Sequence, residues 1–100
     1  MVQKIIWVAK AEATFLQTLD YLETNFAHAE AIKFADRIQR KLFLIQSNPR
    51  LGKPGKKKTN VYKTVIHKRI VLFYQYKPLK REIIILEFWN TLQNPDKARV

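Results

Sequence analysis

The chain contains no cysteine, which rules out disulfides, thiolate zinc sites and cysteine nucleophiles and fits a reducing compartment. Histidine is nearly as scarce. His28 and His67 are the only two, they lie far apart, and no clustered carboxylate stands beside either. No metal site and no cofactor are therefore expected. Gly52 and Gly55 are the only glycines, flanked by lysines and prolines and followed by a strand-like stretch, so they do not form a phosphate-cradling loop at a helix start. Long apolar runs are missing too. The apolar stretch at 83–86 is far shorter than the roughly 20 residues a membrane helix needs, and the opening segment is too short and strand-like for a secretory signal. Residues 1–100 are expected to form a single cytoplasmic domain with no membrane contact.

Acidic residues are the last scarcity, at 8 against 19 basic ones, for a net charge of +11. The imbalance is concentrated in the second half, where residues 51–100 carry 12 basic and 3 acidic side chains. From Arg50 to Arg69 there are eight basic residues and no acidic one: Arg50, Lys53, Lys56, Lys57, Lys58, Lys63, Lys68 and Arg69. Such a run is the footprint of a nucleic-acid or acidic-protein partner. The competing reading is a solvated basic face that keeps the protein soluble.

What is abundant is β-branched and aromatic sequence near the C-terminal end. Residues 70–76 and 82–89 read as two strands joined by a turn at Lys77-Pro78-Leu79-Lys80. Both are apolar on both faces, as central strands are. Tyr74 and Tyr76 alternate with Val71 and Phe73. Strict alternation also puts Glu82 and Glu87 on opposite faces of one strand, too far apart for paired acid–base work. Residues 2–8 form a further strand. From residue 9 the spacing becomes helical: Phe15, Leu19, Leu22 and Phe26 make one stripe over 9–26. Ala35, Ile38, Leu42 and Ile45, widened by Ala31 and Phe34, make another over 28–46. Asn25 is the expected cap between them, and so short a link predicts an antiparallel helical hairpin. Asn48-Pro49 ends the second helix. Residues 50–60 read as a loop, 61–66 as a strand with a turn at 67–69, and 90–100 as a frayed polar tail. The expected fold is α+β, in the order β-α-α-β-β-β, with the hairpin packed on a mostly antiparallel four-stranded sheet.

Chemistry on this frame falls to lysine, arginine and aromatic side chains. Lys56, Lys57 and Lys58, with Lys53, Lys63, Lys68 and Arg69, are candidate phosphate contacts, and Tyr62 or Trp89 could stack on a base. A ribonuclease without catalytic histidine can use such cations to stabilise the charge at phosphorus and activate a 2′-hydroxyl; Lys56, Lys58, Lys63 and Arg69 are the candidates. The bland alternative is that the aromatics are sheet packing, which Tyr74 and Tyr76 fit best.

The ordered set of Trp7, Phe15, Leu16, Leu19, Tyr21-Leu22, Leu42, Ile45, Asn48-Pro49, Leu51-Gly52-Lys53, the Tyr74 strand and the closing IIILEFWNTLQNP resembles the RelE/ParE superfamily of bacterial toxins. The resemblance covers nearly the whole chain. It implies a toxin of a type II toxin–antitoxin pair, held inactive by a cognate antitoxin that wraps it with a helix and an extended segment. It also implies one of two targets, the ribosome with its mRNA, which one branch cleaves, or DNA gyrase, which the other inhibits. Ribosome-dependent mRNA cleavage is the first expectation, since Lys56, Lys58 and Lys63 sit where the cleaving branch places basic residues. Against it, Leu92 stands where many relatives carry arginine, and Trp89 and Asn90 occupy the neighbourhood of a C-terminal His or Tyr; gyrase inhibition, an attenuated toxin or a plain basic RNA-binding module then remain. Trp89 and Leu92 form an apolar pair expected to contact the antitoxin, and without its antitoxin the free protein is expected to self-associate, as a homodimer, or to express poorly.

Overall fold

A computed structural model of the chain describes residues 3–55 and 58–91. The elements are β1 (Lys4–Trp7), α1 (Ala9–Asn25), α2 (His28–Ser47), β2 (Lys53–Pro54), β3 (Val61–His67), β4 (Ile70–Lys77) and β5 (Glu82–Asn90). They form one sheet in the order β1-β5-β4-β3-β2, with the helical hairpin on one side. The expected α+β class holds. The sheet has five strands rather than four because the basic loop contributes the two-residue β2 at its edge. Only β1 runs parallel to its neighbour, β5; every other pair is antiparallel.

Two bulges reset the faces that simple alternation predicts. Phe73 pairs with Glu87 but Tyr74 pairs with Ile85, so Leu86 is an extra residue in β5. Ile83 and Ile85 face the helices before the bulge, and Phe88 faces them after it. The pairing therefore places Glu82 and Glu87 on the same face, away from the helices, and corrects the opposite-face expectation: one inserted residue changes the parity of everything beyond it. Similarly, Val65 pairs with Val71 and His67 with Ile70, leaving Ile66 extra. That turns His67 toward α2.

The core is pinned by an aromatic knot. Trp7, Phe15, Phe34 and Phe88 come from β1, α1, α2 and β5, with five ring pairs at 5.5–5.9 Å between centroids. Ala31, Phe34, Ile38 and Ile45 are the buried face of α2. Ala35 and Leu42 of the predicted stripe sit at its margin. Phe26 departs from the α1 stripe: it lies beyond the last helical residue and is 44% exposed. Asn25 is not the expected cap. It ends α1 and donates Nδ2 to the Tyr21 carbonyl, while Ala27 occupies the cap position of α2 without a side-chain bond.

Polar stitching completes the frame. β1 stops at Trp7, so the β5 edge beyond it needs another partner; Thr14 of α1 accepts from the Phe88 N–H at 3.0 Å and donates back to the Lys10 carbonyl at 2.8 Å. Tyr74 is fully buried; its hydroxyl donates to the Pro49 carbonyl at 2.9 Å and accepts from the Gly52 N–H at 3.0 Å. Burial pushes its phenol pKa up, against the Gly52 hydrogen bond. Tyr74→Phe strands one backbone carbonyl and one N–H at this crossing, so a loss of about 1–3 kcal/mol is expected in denaturant unfolding, with the β2 edge losing hydrogen-exchange protection first.

Candidate partner-binding surface

The predicted cations divide between two ends of β3. Lys53 and Lys63 are both exposed and stand directly opposite each other across β2 and β3. Like charges so placed repel. Lys58 is exposed in the bend leading into β3. Lys68 and Arg69 form the two-residue turn at the far end, with φ of 49° and 63°, the left-handed geometry such hairpin turns require and which non-glycine residues adopt at a cost. Lys63 and Lys68 are five residue steps apart, about 16 Å along the strand. The structure thus brings Lys53 and Lys63 together and keeps Lys68 and Arg69 apart from them. Lys56, Lys57 and Leu92 lie outside the described residues.

Lys68 is already engaged. Its Nζ is 3.5 Å from Glu30 Oε1 and 5.0 Å from the centre of the Phe26 ring. It belongs to a clamp that sequence reading missed, because its contacts join α2 to the end of β3 across 30 or more residues of chain. Arg37 Nη1 lies 2.9 Å from Nδ1 of the buried His67, and His67 Nε2 lies 3.1 Å from Glu30 Oε1. A guanidinium only donates, so Nδ1 accepts and the proton sits on Nε2, pointing at the carboxylate. Burial lowers the His67 pKa, and the charges of Arg37 and Lys68 act in the same direction against the Glu30 bond. Burial alone would raise the Glu30 carboxyl, yet Lys33, Lys68 and His67 together hold it below its usual range.

The sign of the resulting pH dependence follows from proton counting. The unfolded chain binds a proton at His67 at higher pH than the folded one, so stability rises with pH through this range. The contribution is complete above the ordinary imidazole range, about 6.5, and is lost as pH falls toward the lowered folded value. Glu30 contributes only to losses further down, below the ordinary carboxylate range. The urea midpoint is therefore expected to fall between pH 7.5 and pH 5.5, and to fall less in His67→Phe; equal falls would place the titrating group elsewhere.

Away from the helices, Leu51, Gly52, Lys53, Lys63, Thr64, Val65 and Val71 line a groove of ≈ 360 Å³. Leu51 is 41% and Val65 59% exposed, both large apolar side chains turned to solvent. Gly52 is required at its base, since a Cβ there would meet the Lys63 carbonyl oxygen at 2.7 Å. The cross-strand row runs Lys53, Lys63, Phe73, Glu87. Glu87 is 2% exposed and its Oε1 lies 2.6 Å from Lys10 Nζ, so its charge is met two strands, about 10 Å, from Lys63. Tyr62 is buried and stacked on Tyr74 at 5.5 Å, which removes it as a platform for a base. Trp89 is half-buried, pairs with Val71, and has an indole N–H with no hydrogen-bond partner among the described residues. Among the described residues no group of three His, Cys, Asp or Glu side chains is placed to hold a metal, and no helix is long and apolar enough to cross a membrane.

Residues 5–95 match the profile of the family described as the ParE toxin of type II toxin–antitoxin system, parDE. The chain belongs to the ParE toxin family. Among solved structures, the chromosomal ParDE toxin–antitoxin system from P. aeruginosa resembles this ParE-family chain with a TM-score of 0.69 at 20% identity, covering 87% of this chain and 94% of that one. At that identity the likeness concerns the fold. No curated protein matches the chain in sequence.

Proposed function

We propose that this ParE-family protein is the growth-inhibiting toxin of a type II pair, neutralised by a co-produced acidic antitoxin, and that it acts by binding DNA gyrase rather than by cutting mRNA. The observation that carries this reading beyond the family is the groove: an aliphatic floor rimmed by two lysines that have no acidic partner among the described residues is a surface suited to a protein. A single ribonuclease centre needs its cations and a proton-transfer group within reach of one phosphate. Here Lys63 and Arg69 lie at opposite ends of β3, and His67 is buried with both ring nitrogens occupied. A cytoplasmic site of action goes with either target.

Two assays on purified protein test it. Gyrase supercoiling is expected to stop at stoichiometric toxin, while cell-free translation continues without new primer-extension stops on the message. Normal supercoiling combined with cuts at codon boundaries would reverse the assignment and return Lys56, Lys58, Lys63 and Arg69 to the catalytic role.

A further inference from the structure

We infer that the clamp joining α2 to the β3–β4 turn is operated by a proton on His67: the neutral ring holds the Arg37 side chain, and the protonated ring releases it. Such a switch works whatever the target of the toxin. His67 ends β3 and is 5% exposed, turned toward α2 by the extra Ile66. Its ring nitrogens face groups of opposite charge on that helix, Arg37 Nη1 at 2.9 Å from Nδ1 and Glu30 Oε1 at 3.1 Å from Nε2. The neutral ring with its proton on Nε2 satisfies both, accepting from the guanidinium and donating to the carboxylate. The imidazolium satisfies only one. A proton on Nδ1 sets two donors and two positive charges face to face, and it removes the acceptor of Arg37, which makes no ion pair among the described residues.

The charges around the ring decide which side chain moves. From α2 come Glu30 and Arg37, with Lys33 Nζ 3.4 Å from Glu30 Oε2, and from the turn comes Lys68 Nζ, 3.5 Å from Glu30 Oε1. On β4 the residue paired with His67 is Ile70, which is apolar, and Arg69, the other turn residue, is exposed. One carboxylate therefore already serves two lysines, and protonation brings a further full positive charge against it. The buried imidazolium keeps Glu30, because a charge out of water needs its counter-ion. Arg37 is exposed and regains water as it leaves. The tie between α2 and this end of the sheet then runs through Glu30 alone. That matters for the turn, since Lys68 and Arg69 hold φ of 49° and 63°, a conformation that non-glycine residues keep only where their surroundings impose it. On its other side the turn is held by Thr91, whose hydroxyl donates to the Arg69 carbonyl at 2.7 Å.

Nitrogen-15 NMR on the full-length protein tests the switch, following the His67 ring nitrogens and the rotation of the Arg37 guanidinium about its Nε–Cζ bond from about pH 8 to about pH 5, on either side of the ordinary imidazole value. At the upper end the ring proton is expected on Nε2, with slow guanidinium rotation. Protonation is expected in one step centred below the ordinary value, since burial opposes the charged ring and the charges of Arg37 and Lys68 add to it against the Glu30 bond. Rotation should speed up roughly tenfold in that same step, the loss of one hydrogen bond from a charged donor, while near-ultraviolet circular dichroism stays native. Arg37→Ala removes both the donor and the charge, so the His67 midpoint is expected to rise; Arg37→Lys, which restores a cationic donor, should bring it back toward the parent. A merely structural Arg37 would change stability and leave that midpoint where it is. Because Arg37 is exposed, both variants are expected to fold. A ring proton on Nδ1 at the upper end, a midpoint unmoved or lowered in Arg37→Ala, guanidinium rotation indifferent to the step, or loss of the near-ultraviolet signal together with it would each overturn the proposal.

Discussion

Phe34→Ala is expected to cost about 3–5 kcal/mol of folding stability. Phe34 is fully buried, and its ring lies 5.7 Å from Phe15 and 5.9 Å from Phe88. Removing it deletes the aromatic contacts of α2 to α1 and to the end of β5 at once. The neighbours cannot collapse into the space, because Phe15 is fixed by Trp7 on its other side and Phe88 by the sheet register. For a domain of this size each kcal/mol moves the midpoint by roughly 4–8 °C, so thermal unfolding should shift by more than 10 °C. Phe34→Leu keeps much of the volume and is expected to cost about half as much. A loss below 1 kcal/mol for Phe34→Ala would mean that the helical hairpin contributes far less to the core than its packing implies.

The contrast between Phe34 and Phe26 shows how far the sequence could be read. Helical spacing placed both on apolar stripes, and the helices lie where that spacing puts them, to within a residue. Yet a stripe predicts a face, not its end: α1 stops at Asn25, and Phe26 swings out to solvent beneath Lys68. The strands were similarly legible in extent but not in register. Neither the extra Leu86 nor the extra Ile66 leaves a mark in composition, since each is an apolar residue among apolar residues. The basic run was visible as charge, whereas its division into a paired groove and a separate turn depends on where β2 joins the sheet. Tyr74 read as packing and is also a buried polar latch, a role fixed by backbone groups more than 20 residues away.

Lys10→Ala is expected to cost about 3 kcal/mol, although Lys10 itself is half-exposed. The reason is the group it leaves behind. Glu87 is 2% exposed, and among the described residues its Oε1 has no other polar partner of hydrogen-bonding geometry; the Lys10 ammonium at 2.6 Å is the charge that compensates it. A buried carboxylate without its cation loses solvation and receives little in return. Adding Glu87→Gln in the Lys10→Ala background removes the stranded charge, so the double variant should be more stable than Lys10→Ala alone, a non-additivity that urea unfolding of the four proteins in the cycle measures directly. Simple additivity would mean that the two groups do not sense each other.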